Sequence, residues 1–174
     1  MLTQLLFYLF GSVAVVSGVM TITRKNPVAS ALWLIGTFFA LAAIYTLLGA
    51  FFIGVIQVLV YAGAIMVLFL FVIMLLNLGN QYQPDFRGKF WWVTAAGTGL
   101  VLVALLARVF AAQVPSPLGE TAGPRAMATS MAEQGVVGAV GIPMYTDFVV
   151  PLQVTGLLLL VAIVGAVVLA KKSF

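Results

Sequence analysis

Five uninterrupted apolar runs organise this chain, at about residues 2–23, 28–48, 50–78, 90–112 and 148–170. Each is long enough to cross a bilayer, because a hydrocarbon core of roughly 30 Å takes about 20 helical residues at about 1.5 Å apiece. In lipid every backbone amide needs a partner within its own segment, so runs of this length are read as helices. The breaks between them are Arg24-Lys25-Asn26-Pro27, Gly49, Gly79-Asn80-Gln81, and a stretch from about 113 to 147 rich in glycine and proline. The chain is 64% hydrophobic and only 7% charged, too little charge to clothe a water-soluble fold, which carries about a quarter. The fold class expected is therefore all-α: a polytopic membrane helix bundle with five transmembrane helices, forming one membrane domain over 1–174.

The distribution of bases sets an orientation. With five spans, the turn after the first, the loop after the third and the C-terminus share a side, which holds Arg24, Lys25, Arg87, Lys89, Lys171 and Lys172. The other side holds Arg125, with Arg108 near the end of the fourth run. The excess of bases marks the cytoplasmic side, so the N-terminus is expected outside (periplasmic) and the C-terminus in the cytoplasm. Trp91 and Trp92 beside Lys89 read as an interfacial anchor, and Arg108 as a side chain that snorkels outward. The first run is not expected to be a cleavable leader, since its bases follow it instead of preceding it. The 113–147 stretch is expected to be an external loop. Within it Ala126 to Gln134 suits a short helix, and Val136 to Ile142 suits a surface-lying or partner-covered segment.

Several chemistries are excluded. With no cysteine and no histidine the chain offers no thiol nucleophile, no iron–sulfur ligand and no ordinary zinc or copper site. No catalytic residue, metal or cofactor is therefore expected on it. Its scattered bases give no nucleic-acid face. No Asp, Glu, Lys or His lies at mid-depth in any run, where an ion pump keeps its titratable groups. No repeat supports an inverted-repeat transporter, so a small independent transporter is a weak alternative.

The polar residues inside the runs are neutral: Ser12, Ser17, Tyr45, Gln57, Tyr61, Thr98, Gln153 and Thr155. Hydroxyls of this kind usually bond back to their own helix. Gln57 and Tyr61 differ, since a buried amide or phenol needs a partner. They sit in the longest run. There Tyr61 and Asn77 point about 160° apart on a regular helix, but about 60° apart if one residue is inserted as a π-bulge. A bulge near Gly63 would bring Gln57, Tyr61 and Asn77 toward one side; the alternative is a regular helix with Gly63 at a tight contact.

The stretch Val60-Tyr61-Ala62-Gly63-Ala64-Ile65-Met66-Val67-Leu68-Phe69, continuing to Met74-Leu75-Leu76-Asn77, resembles the third helix of the J subunit of respiratory complex I, the proton-translocating NADH:quinone oxidoreductase. Tyr145-Thr146-Asp147-Phe148-Val149-Val150-Pro151, leading into Leu157-Leu158-Leu159-Leu160, resembles the same family's last helix. The resemblance covers essentially the whole chain. It implies a membrane-arm core subunit beside the quinone-binding subunit and near the small and antiporter-like subunits, in the bilayer of a bacterial inner (plasma) membrane. FMN, iron–sulfur clusters and quinone are then expected in partner subunits. It also implies a π-bulge around Tyr61 to Val67 whose conversion to α-helix opens or closes a water path. Gln57, Tyr61, Gly63, Met66, Val67, Phe69, Met74 and Asn77 would form this gating segment, with Asp147 and Gln153 as secondary polar positions. Family members often carry Glu where this chain has Gln153, which leaves that position a hydrogen-bonding role without a charge. A related subunit of a multisubunit cation/proton antiporter is the alternative membership.

Overall fold

In a computed structural model, residues 1–76, 88–111 and 124–171 are described, and all elements among them are helical. In chain order they are α1 (Leu2–Thr23), α2 (Pro27–Leu47), α3 (Phe51–Leu75), α4 (Gly88–Ala111), α5 (Pro124–Thr146) and α6 (Val149–Ala170). By length and composition α1, α2, α3 and α6 can cross a membrane, and α4 contains a shorter apolar stretch, Val93–Val109. The chain forms two compact units, Met1–Ala122 and Gly123–Phe174.

In the first unit, local chemistry sets the helix ends. Asn26 caps α2, its side-chain oxygen accepting from the amides of Val28 at 2.9 Å and Ala29 at 3.4 Å. Pro27 follows at the first helical position, where its missing N–H costs nothing. Arg24 lies 5.9 Å from the centre of the Trp33 ring, a cation–π contact across the turn. At the other end of α2, Gly49 takes φ +83°. The Gly49 amide donates to the Thr46 carbonyl at 3.1 Å and the Ala50 amide to the Tyr45 carbonyl at 2.9 Å. This pair of bonds is a Schellman closure, and it turns the chain directly into α3.

Packing in this unit centres on α2, which lies against α1 on one side and α3 on the other. The buried apolar residues here are few and mainly small: Ala31, Ala40, Ala42 and Ala62, with Met66 and Ile73. Small side chains let helix backbones approach, and in lipid close packing replaces the hydrophobic drive that joins helices in water. Large apolar side chains instead point outward along every span. The hydroxyls mostly bond back to their own helix: Ser12 to the Leu9 carbonyl at 2.7 Å and Thr155 to the Pro151 carbonyl at 2.8 Å, with Thr37 and Thr46 doing the same. Ser17 is buried, with the Cα of Gly36 turned toward its hydroxyl.

In the second unit α5 packs on α6. The stretch read as an external loop is helical across 124–146, with a break at Gly135 (φ 74°, ψ 168°) that divides it into two helical pieces. The first piece contains the short helix expected from Ala126 to Gln134. The second piece, read from sequence as a surface-lying or partner-covered segment from Val136 to Ile142, is helical as well. Gly138, Gly141 and Pro143 lower the intrinsic propensity of that segment, yet its backbone closes its own hydrogen bonds as a helix. It ends where the amides of Asp147 and Phe148 both donate to the Pro143 carbonyl, at 2.9 and 3.0 Å.

Candidate functional site

The third helix is not uniform. Phe51–Ile56 and Met66–Leu75 are α-helical, but Gln57–Ile65 between them winds as π-helix, with i→i+5 bonding. Gly63 lies within this nine-residue segment. A Cβ placed on it would stand 3.3 Å from the Val58 carbonyl oxygen, five residues back, so glycine relieves crowding in the wide turn.

The pattern of burial explains the π-turn. The buried residues of α3 are Gly54, Gln57, Ala62, Met66 and Ile73. At about 100° per residue on an unbroken α-helix, these five would be smeared over about 180°. Inserting one residue between Gln57 and Ala62 draws them into an arc of about 80°. The wide turn therefore keeps one face of α3 on α2 along its whole length. Met66 and Ile73 meet Ala31 there, flanked by Val28, Ile35, Phe38 and Leu70.

The residues singled out from sequence fall in different surroundings. Gln57 opens the π-segment and is 8% exposed. Tyr61 is 47% exposed and sets its ring edge-on to Phe38, centroids 5.9 Å apart at 65°. The two are thus near in sequence but not equally enclosed. Met66 is the buried knob just beyond the π-segment, at 3% exposure. Val67, Phe69 and Met74 face outward. Asn77 lies outside the described residues, as do Arg87 and Lys172, and the side chains of Trp91 and Trp92 are not described either. Asp147 lies in the turn between α5 and α6, and Gln153 is exposed in the first turns of α6.

Three contributors were not singled out from sequence. Phe38 supports the Tyr61 ring. Ala62 carries the buried face through the π-segment. Gly54 allows the closest approach of α3 to α2: a Cβ there would lie 2.7 Å from the Thr46 hydroxyl oxygen and 3.1 Å from the Ala42 carbonyl oxygen. A five-residue step between small or polar residues, from Gln57 to Ala62, was the only available signal, and it is invisible until the partner face is known.

Comparison with known proteins places this chain in a family. Residues 17–169 match the family model described as NADH-ubiquinone/plastoquinone oxidoreductase chain 6. The NADH-quinone oxidoreductase subunit J of Rhodobacter capsulatus is 38% identical over 171 residues, covering 95% of this chain and 80% of the relative. NAD(P)H-quinone oxidoreductase chain 6 of Leptolyngbya boryana is 34% identical over 168 residues, covering 97% and 79%. Subunit J of Pseudomonas aeruginosa is 34% identical over 170 residues, covering 96% of each chain. The chain is membrane-embedded by its helices and belongs to the NADH-ubiquinone/plastoquinone oxidoreductase chain 6 family, which includes the subunit J proteins of bacterial NADH-quinone oxidoreductase.

Proposed function

We propose that this chain is a membrane-arm subunit of a proton-translocating NADH:quinone oxidoreductase and that α3 gates a water path by exchanging π-helix for α-helix at Gln57–Ile65. It spans a bacterial inner membrane five times, with the N-terminus outside and the C-terminus in the cytoplasm. The redox groups (FMN, iron–sulfur clusters and quinone) and the titratable carboxylates reside in neighbouring subunits. Its own contribution is steric and hydrogen-bonding, with Tyr61 supplying a hydroxyl to an ordered water chain.

One observation carries the reading: the π-segment separates two α-helical halves of one span, so loss of a single inserted residue turns one half against the other by about 100°. Such a turn carries a side-chain tip through about 8 Å on a helix about 11 Å across, enough to admit or exclude water. It exchanges outward residues such as Val67, Phe69 and Met74 for others along whatever path lies beside them. The half that turns, Met66-Val67-Leu68-Phe69-Leu70-Phe71-Val72-Ile73-Met74-Leu75, is apolar on every face, so no polar group is stranded in either register.

The test is substitution in the assembled complex. Tyr61→Phe and Gly63→Leu are expected to lower coupled proton translocation while the complex still assembles, and Gln153→Leu to have a smaller effect. Wild-type quinone reduction and wild-type pumping in both α3 variants would overturn the gating role.

A further inference from the structure

We propose that Gly54 is a positioning residue that fixes the N-terminal half of α3 to α2, so that any change in the π-segment is delivered to the C-terminal half alone. The inference rests on the gating reading above but concerns a different contact.

A helix that changes pitch in its middle rotates its two halves relative to each other; it does not decide which half moves. The contacts on either side of Gln57–Ile65 differ in kind. On the N-terminal side, Gly54 lies so close to α2 that a Cβ would reach within 2.7 Å of the Thr46 oxygen and 3.1 Å of the Ala42 carbonyl oxygen. The Thr46 hydroxyl is itself held by the Ala42 carbonyl at 2.9 Å, and that carbonyl is backbone. Only glycine fits, and only with its bare Cα turned toward α2. A rotation of about 100° would drive the side chain of Ile53 or Val55 toward that gap. The same half is also tethered by the closed turn at Gly49 and Ala50, which leaves no slack between α2 and α3.

The C-terminal half has no such fit. Met66 and Ile73 pack by side chains alone against Ala31, Val28, Ile35 and Phe38. Removing the one-residue offset moves the register back by one, so Ile65 and Val72 take the places of Met66 and Ile73. Those two are now 48% and 42% exposed, and both are branched aliphatics of comparable bulk. At these two positions side-chain packing admits a second register, whereas the Gly54 contact has one solution. The N-terminal half is the fixed part and the C-terminal half the moving part.

The chain contains no cysteine, so introduced pairs report on it without background from its own residues. Disulfide yields in the assembled complex would be compared at rest and during turnover with NADH and quinone. Ala43→Cys with Val55→Cys, which line one groove between α2 and α3, reads the N-terminal half. Ala31→Cys with Ile73→Cys reads one register of the C-terminal half, and Ala31→Cys with Val72→Cys the other. The expected result is a constant yield for 43/55, with a several-fold fall for 31/73 matched by a rise for 31/72 during turnover. Adding Gly54→Ala should make the 43/55 yield depend on state, and Thr46→Ala should partly restore its constancy by removing the nearer of the two clashes. A 43/55 yield that changes in the wild-type background, or a Gly54→Ala variant that leaves it constant, overturns the assignment of Gly54. If no pair responds to turnover, the switch itself is refuted, and this inference with it.

Discussion

Deleting Val60 separates the packing of α3 from its capacity to switch. Val60 lies outward in the π-segment, between Gln57 and Ala62. Its removal leaves Gln57 and Ala62 four residues apart. On a plain α-helix Gly54, Gln57, Ala62, Met66 and Ile73 then still fall within about 80°. Every buried contact with α2 survives, and Tyr61, still adjacent to Ala62, keeps its edge on Phe38. The expected cost in stability is under about 1 kcal/mol, as for other changes that disturb no buried contact. What disappears is the inserted residue. A π-turn in the shortened chain would rotate Met66 and Ile73 off Ala31, and a penalty of about 1.4 kcal/mol already lowers that state's population about tenfold. The shortened protein should therefore assemble at wild-type levels on native gels and translocate protons at about a tenth of the wild-type rate or less in proteoliposomes. Deleting Leu68 provides the contrast, because it leaves the π-segment intact and turns Ile73 about 100° away from α2, at the expense of assembly. A fully assembled Val60 deletion that pumps like wild type would show that the π-turn is static scaffolding.

Two further outcomes follow from the packing. Met66→Ala empties the knob between α2 and α3; with little transfer energy to lose in lipid, the expected loss is about 1–2 kcal/mol, seen as a lowered thermal midpoint of the purified complex. Gly49→Ala places a Cβ on a φ of +83°, which costs about 1–2 kcal/mol at the turn between α2 and α3 and should lower the level of assembled complex without altering the pumping per assembled enzyme.

How far the residues themselves announced these features varied with the kind of feature. Helix ends were legible where a side chain has one local use. Asn26-Pro27 is a cap followed by a first-turn proline, and Gly49 is a turn only glycine enters easily. The helix from Val136 to Thr146 was not legible, because Gly138, Gly141 and Pro143 argue against it locally. The π-turn was half legible: the length of the third run required some accommodation, and the two directions of Tyr61 and Asn77 raised the option of a bulge. Spacing alone favoured a regular helix, and the family resemblance turned the expectation to a bulge. The grouping of Gln57 with Tyr61 was too simple, since the first is enclosed and the second half-open beside Phe38.

Hydrophobic length and the need to close every backbone hydrogen bond make this chain a set of membrane-length helices, and the missing Cys and His deny it thiol and imidazole chemistry of its own; both follow from residues counted along one dimension. Facing is another matter. A span that is apolar on all sides carries no amphipathic stripe to say which side meets a neighbour. Only the packed structure put Gly54 against the Thr46 hydroxyl and the Ala42 carbonyl, closed Met66 and Ile73 over Ala31, and required one extra residue in the turn between them. Those choices depend on shape at close range between two helices, and no property of either helix taken singly contains them.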